Sequence, residues 1–116
     1  MDRFIYKIAT RSQWEAAGNA GQFDGAPVDL KDGFIHFSTA DQARETAAKH
    51  FAGMDDLVLA EIDGQLLREA LKFEVSRGGQ LFPHLYASLP MNAVTRTWAL
   101  KLDAAGNHIF PPEVGG

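Results

Sequence analysis

The segment GFIHFST, residues 33–39, predicts a short apolar strand that runs directly into the start of a helix. Its strand part, residues 34–37, is aromatic and β-branched, which is typical of strands. Thr39 and Gln42 have the spacing of a capping box, and the alanine-rich stretch behind them carries a helical apolar stripe. We therefore expect a junction at which polar strand residues lie beside the first turn of a helix.

Outward from this junction, strands alternate with short helices. Strands are predicted at residues 3–9, 34–37, 57–62, 73–75, 81–86 and 94–102, and short helices after Thr10, after Thr39 and at residues 65–71. Gly78-Gly79 predicts a hairpin, and Pro83 predicts that its second arm lies at a sheet edge or a bulge. Because the spacing is not that of regular βαβ units, an α+β domain with short helices is favoured over a doubly wound parallel sheet.

Residues 19–32 show neither a helical nor a strand period. A loop of this length in a small domain is usually functional or mobile, so the segment is a candidate lid. Glycines at positions 18 and 21 are expected to end the helix that precedes it.

The composition predicts one domain over residues 1–116, with a core at about 3–110 and a tail at 111–116, because 116 residues with 46% hydrophobic content suffice for one core. A formal net charge of -4 argues against double-stranded nucleic acid as a partner. The absence of cysteine excludes disulfides and thiolate chemistry and is typical of the cytoplasm. Since no signal-peptide core or membrane-length apolar run is found, no membrane partner is expected.

His36 and Ser38 lie two residues apart on a strand, so their side chains share one face. Together with free backbone N–H groups at a helix start, they could bind a polar or anionic group. The structural alternative is a hydrogen-bonded, partly buried histidine and a serine that caps the helix. Thr39 and Gln42 are assigned to capping alone.

A second polar cluster lies at FPHLY, residues 82–86, where His84 and Tyr86 again share a strand face. Histidine could act as acid, base or anchor and tyrosine could stack or hydrogen-bond, although a Pro-His corner can equally be a structural turn. Glu74 lies near this cluster. Facing the same cleft, it could orient a sugar hydroxyl or stabilise a cationic transition state; otherwise it is a solvent-facing charge.

Several chemistries lack their motifs in this sequence. It has no phosphate-binding glycine loop, no dinucleotide fingerprint and no helical histidine pair of zinc-protease spacing. His50 and His108 are expected to be peripheral, and with the four histidines dispersed no metal site is expected. A nucleophilic pair of Ser38 with a histidine lacks an elbow motif and a third orienting residue.

Three parts of the sequence carry a family resemblance: IYKI at residues 5–8 followed by Trp14, the segment 33–39 with Gln42, and the segment 82–86. Together they resemble the small bacterial family called domain of unknown function 952, from Phe4 to about Leu102. The function of that family is not established.

A more distant resemblance carries more chemistry. His36 to Thr39 with the alanine-rich helix, residues 57–63 and residues 73–90 are similar, in order, to segments of NAD-dependent RNA 2′-phosphotransferases. Those enzymes belong to the ADP-ribosyltransferase superfamily, whose split, mixed β-sheet fold binds NAD in a central cleft. The resemblance thus implies split, mixed sheets and a small-molecule nucleotide, NAD or a relative, as ligand.

By this resemblance His36 or Ser38 would lie near the ribose or nicotinamide, with His84 and Tyr86 across the cleft and Glu74 as the nearest acidic candidate. Lys7 would contact the ligand from the first strand, where the family and its transferase relatives often have histidine. The Glu-x-Glu pair of toxin-type transferases is absent.

Three functional hypotheses follow. The first is an ADP-ribosyltransferase-like protein that binds NAD and transfers ADP-ribose to an acceptor. The second is a non-catalytic module that binds a nucleotide or small ligand. The third is a phosphoesterase, because His36-Phe37-Ser38 resembles one motif of the two-histidine phosphoesterases, although Tyr86 stands where their second motif needs a small hydroxyl residue.

Overall fold

The order of elements in the computed structural model, which describes residues 2–115, follows the alternation of strands and helices seen in the sequence. The strands are β1 (Phe4–Thr10), β2 (Gln22–Phe23), β3 (Ile35–His36), β4 (Leu57–Asp63), β5 (Leu71–Val75), β6 (Leu81–Leu85), β7 (Leu89–Pro90) and β8 (Val94–Leu100). The α-helices are α1 (Arg11–Ala20), α2 (Pro27–Asp32) and α3 (Ala43–His50), and 3₁₀ turns lie at Gly64–Ala70, Arg77–Gly79 and Met91–Ala93. The predicted α+β class is confirmed.

Two three-stranded sheets form the framework, in the orders β1-β4-β8 and β3-β6-β5, and β2 pairs with β7. Every pairing among the described residues is antiparallel, so the expected mixed sheets are wrong. All seven residues of β4 are buried because it is the central strand of its sheet. Its continuous apolar run LVLA, residues 57–60, is the pattern that such a strand requires.

The two larger sheets meet at Tyr6 and Ser38. The backbone N–H of Tyr6 donates to the carbonyl of Ser38 at 2.8 Å, and the N–H of Ser38 donates to the carbonyl of Tyr6 at 2.9 Å. This antiparallel bridge joins the middle of β1 to the residue two positions beyond β3. The end of the GFIHFST segment is therefore fixed against the first sheet.

Helix α3 packs against the first sheet through alanines. Ala43 and Ala47 are 0% and 1% exposed and lie with Leu57, Leu59 and other apolar side chains in one core cluster. Small side chains let the helix approach the sheet closely, and each fully buried leucine contributes about 1.5–3 kcal/mol. Val114, within the predicted tail, belongs to the same cluster with 0% exposure and packs against the domain.

The segment at residues 19–32 contains the end of α1, β2 and α2, so the expected irregular loop is wrong, while its interpretation as a lid stays a prediction. Helix α1 continues through Gly18 and ends only at Gly21, whose φ is 84°. After β2, helix α2 begins with Pro27 in its first turn, where the missing N–H costs nothing, and ends at Gly33 with φ 85°. Six residues are too few for a helical period to show in the sequence.

Pro83 lies in the central strand β6, so the predicted position of this hairpin arm at a sheet edge is wrong. Its carbonyl accepts from the N–H of Phe37 at 3.0 Å. The N–H and C=O groups of a residue in an antiparallel strand point toward the same neighbouring strand. The nitrogen of Pro83, which carries no hydrogen, therefore points to the β3 side, just past His36, where the pairing with β3 ends. The proline thus removes no bond from the β5 side.

The two predicted capping boxes differ in outcome. At Thr10 and Gln13 both reciprocal bonds form, at 3.1 and 3.0 Å, and the prediction is confirmed. At Thr39 and Gln42 only half of the box forms: the Gln42 side chain accepts from the Thr39 N–H at 3.0 Å, and the helix begins later, at Ala43. The Gln42 amide also donates to the Leu81 carbonyl at 2.8 Å, so it ties the start of α3 to β6.

Candidate functional site

A cleft of about 620 Å³ lies where the two sheets meet, and it is lined by β1, β3, β6, α2, α3 and the turn after β5. This volume falls within the usual range of small-molecule sites, roughly 300–1,000 Å³. Four of the predicted site residues line it: Lys7, His36, Ser38 and His84. Glu74 and Tyr86 are not among its lining residues.

The His36 ring lies between two carboxylates of α2. Nδ1 is 2.6 Å from Oδ1 of Asp29, and Nε2 is 2.9 Å from Oδ2 of Asp32. An ionised carboxylate only accepts hydrogen bonds, so Nδ1 donates to Asp29, whereas the Asp32 contact is a close approach of a carboxylate oxygen to Nε2. Asp32 also lines the cleft, which makes it an acidic site residue that the sequence did not reveal.

Asp29 is the buried centre of this arrangement, with a side chain 1% exposed. It accepts from the Lys7 ammonium at 3.0 and 3.2 Å and from the backbone N–H groups of Ala26 and His36 at 2.7 and 3.0 Å. Burial raises the pKa of Asp29, but the His36 and Lys7 contacts and the two backbone donors outweigh it and bring the pKa to about 2. The buried carboxylate is therefore charged and fully hydrogen-bonded.

Lys7 lies beneath the cleft with only 6% of its side chain exposed. Besides the Asp29 carboxylate, its ammonium donates to the His36 carbonyl at 2.8 Å. Burial lowers the pKa of Lys7 while the Asp29 charge opposes that change. Lys7 thus links α2 to β3 by its contacts with Asp29 and His36. Its expected contact with a ligand stays a prediction.

His84 is held by Glu74. Oε1 of Glu74 lies 2.8 Å from Nδ1 of His84 and also accepts from the Tyr86 hydroxyl at 2.7 Å. Hydrogen bonds from Tyr86 and His84 lower the pKa of Glu74. No group within residues 2–115 hydrogen-bonds Nε2 of His84, so this nitrogen is available to a ligand. Glu74 and Tyr86 do not line the cleft, and Glu74 is connected to it by its contact with His84.

Phe34 is the centre of the aromatic part of the site. Its ring stacks on His84 with centroids 4.0 Å apart and lies 4.6 Å from the His36 ring and 5.4 Å from the Tyr86 ring. The two histidine rings are 5.6 Å apart in an edge-on arrangement. Both polar clusters of the sequence therefore converge, and β3 and β6 explain why: His36 and His84 are directly paired across the ladder.

Ser38 meets α3 rather than capping it, since the helix starts at Ala43 and the capping alternative is wrong. Its hydroxyl lies 2.8 Å from the hydroxyl of Thr46. Nη2 of Arg77 lies 3.3 Å from the same Thr46 oxygen. Thr46 and Arg77 line the cleft and were missed because nothing in the sequence links them to the segment at 33–39.

His50 also lines the cleft, so its expected peripheral position is wrong. His108 lies elsewhere, with Nε2 2.9 Å from the Met54 carbonyl. Among the described residues, no group of three or more metal-binding side chains is close enough to hold an ion. Nor does any of their helices have the length and apolarity needed to cross a membrane.

These features define the molecule as a small α+β domain with a histidine-containing cleft at the junction of two antiparallel sheets. The chain belongs to the family described as protein of unknown function DUF952, which matches residues 8–97, and the resemblance found in the sequence is confirmed.

Solved structures of protein CC0527 from Caulobacter crescentus are similar to this chain. The X-ray structure is 52% identical, with a TM-score of 0.88 over 91% of this chain and 93% of that one. The solution NMR structure has 52% identity and a TM-score of 0.82, over 91% of each chain. No functionally curated protein matches the chain.

Proposed function

We propose that the cleft binds NAD or a related nucleotide and that the protein transfers ADP-ribose from NAD to an acceptor. The observation that carries this proposal is the convergence of His36 and His84, with rings 5.6 Å apart, in a cleft of about 620 Å³. A cleft of this size with a few placed polar groups is what a small-molecule ligand such as a nucleotide requires. The sequence segments that resemble RNA 2′-phosphotransferases are the reason for proposing NAD as the nucleotide.

The proposed reaction breaks the bond between ribose C1′ and the nicotinamide nitrogen, and the electron pair leaves with nicotinamide. The nucleophile of the acceptor forms the new bond to C1′ and releases its proton to water. Positive charge develops on the ribose during this step, so a nearby carboxylate stabilises the transition state.

Asp32 suits that electrostatic role better than Glu74. It lines the cleft, its side chain is 41% exposed, and its carboxylate oxygen Oδ2 lies 2.9 Å from Nε2 of His36. Glu74 lies behind His84 and is the residue that orients this histidine. We therefore assign the carboxylate of the cleft to Asp32 and a positioning role to Glu74.

A non-catalytic binding module is the second candidate, and one observation favours it. Both ring nitrogens of His36 and the ammonium of Lys7 are already engaged by carboxylates. Contacts of this kind hold the cleft in shape whether or not a reaction takes place there. A phosphoesterase has less support, because Tyr86 stands where its second motif needs a small hydroxyl residue.

Two measurements separate these functions. We expect NAD and ADP-ribose to raise the melting temperature of the protein, and His36→Ala to abolish the rise. Chromatography of NAD incubated with the protein and mixed nucleic-acid or protein acceptors then tests for nicotinamide release, which transfer requires and a binding module lacks. Asp32→Asn should keep NAD binding and lose release. Cyclic phosphodiesters should remain uncleaved.

A further inference from the structure

Arg77 is held rigidly on the cleft wall, in the turn between β5 and β6. Its guanidinium carbon lies 4.9 Å from the centroid of the Phe82 ring, in a cation–π arrangement. Nη2 lies 3.2 Å from the Glu45 carboxylate and 3.3 Å from the Thr46 hydroxyl. Three neighbours thus fix the plane of the guanidinium before any ligand arrives.

One N–H donor of this guanidinium has no acceptor. Nε of Arg77 is buried and has no hydrogen-bond partner, and it is the one buried side-chain nitrogen or oxygen within residues 2–115 of which this is true. A buried N–H without an acceptor is costly, and such a group usually marks the place of a ligand, ion or water. Because the nitrogen belongs to a cation, the missing acceptor is best supplied by an anion.

The side chains around Arg77 suit an anion with several oxygens. Ser38 and Thr46 bring two hydroxyls 2.8 Å apart to the same wall, and His50 also lines the cleft. The carboxylate that lines the cleft, Asp32, is engaged by His36 at 2.9 Å. Glu45, which pairs with Arg77, has a side chain 55% exposed, so water screens its charge.

Of the lysine and arginine side chains that line the cleft, Arg77 is the one whose carboxylate partner is exposed to water. The ammonium of Lys7 is neutralised by Asp29 at 3.0 Å and lies beneath the surface. A planar guanidinium with hydroxyl neighbours matches the oxygens of a phosphate group, which it can bind through parallel N–H donors.

We propose that Arg77, with Ser38 and Thr46, forms a phosphate subsite of the cleft. If the ligand is NAD or ADP-ribose, this subsite binds its diphosphate; that assignment rests on the proposed function, whereas the subsite itself rests on Arg77. Free pyrophosphate and the diphosphate of a nucleotide present the same kind of oxygens to this subsite.

The direct test is NMR of the wild-type protein, with the Nε–Hε signals of its arginines observed during titration with inorganic pyrophosphate. We expect the Arg77 signal to shift in a saturable way and the signal of Arg11, which pairs with Asp56 outside the cleft, to stay in place. An unchanged Arg77 signal overturns the subsite. Because this titration uses the wild-type protein, its result does not depend on whether a variant folds.

Calorimetry of Arg77→Gln, with Arg11→Gln as the matched control, separates the subsite from the proposed function. We expect Arg77→Gln to weaken pyrophosphate and ADP-ribose about 10- to 100-fold and adenosine hardly at all. Unchanged ADP-ribose binding in a folded Arg77→Gln protein overturns the subsite and leaves the proposed function standing. Pyrophosphate binding at Arg77 without any binding of NAD or ADP-ribose has the opposite meaning: the subsite holds and the proposed function fails.

Discussion

Asp29 holds His36 at two points: its Oδ1 lies 2.6 Å from the ring Nδ1 and 3.0 Å from the backbone nitrogen of the same residue. One buried carboxylate thus fixes both the strand position and the ring direction of the histidine. Because the Lys7 ammonium also binds this carboxylate, the position of His36 depends on a buried charge cluster. This dependence can be tested.

Asp29→Asn should destabilise the protein by about 3–5 kcal/mol, because it leaves the Lys7 ammonium buried without its counter-charge. The free energy of unfolding in urea measures this loss. Asp56→Asn is the matched control: it removes the exposed pair with Arg11, whose side chains are 71% and 47% exposed, and should change stability by under about 1 kcal/mol. Equal small losses in the two variants would contradict the buried charge cluster.

The pH dependence of stability follows from the same carboxylate. The pKa of Asp29 falls from 3.8 to about 2 on folding, so its contribution is complete above the unfolded value and is lost as the pH drops toward the folded one. Between pH 4 and pH 2 the wild type should therefore lose about 2 kcal/mol more than Asp29→Asn. Parallel stability curves for the two proteins over that range would show that Asp29 is not charged and bonded as described.

Glu74 should act on a ligand only through His84. Removing its carboxylate with Glu74→Ala frees the His84 ring and should weaken ADP-ribose about two- to tenfold, since one hydrogen bond no longer orients the ring. The ¹⁵N shifts of His84 should change with it, because Nδ1 loses its carboxylate partner. Tyr86→Phe removes only the second bond to Glu74 and should leave both readouts nearly unchanged. A stronger effect of Tyr86→Phe would place the tyrosine in contact with the ligand.

Two glycines provide a test of the backbone around the site. Gly18 lies inside α1 with open space around it, so Gly18→Ala should stabilise the protein by about 0.5–1 kcal/mol. Gly33 also has open space, but its φ of 85° ends α2 in the left-handed region, and Gly33→Ala should cost about 1 kcal/mol. Thermal unfolding of both variants measures the opposite signs. A stabilising Gly33→Ala would contradict the position of the end of α2.

The sequence predicted those parts of the fold whose patterns are long or local. β4 and β8 each extend over seven residues, and the Thr10 capping box needs only four, so periodicity and side-chain chemistry suffice. Strand geometry places each of His36 and His84 on one face with another polar side chain, which makes both histidines candidates from the sequence. They come together because β3 pairs with β6.

The parts that could not be predicted depend on contacts between distant segments. Asp29 and Asp32 lie on a six-residue helix without a visible period, and their importance comes from Lys7 and His36, which belong to other elements. Arg77 reaches the cleft because a hairpin turn carries it over Phe82. None of these contacts leaves a spacing signal along the chain.

Isothermal titration of the wild-type protein with NAD tests the central claim most directly. The account predicts saturable one-to-one binding that is weakened by His84→Ala and left intact by His108→Ala, a histidine outside the cleft. The absence of binding heat for NAD, ADP-ribose and nicotinamide alike, over a range of temperatures, would contradict it.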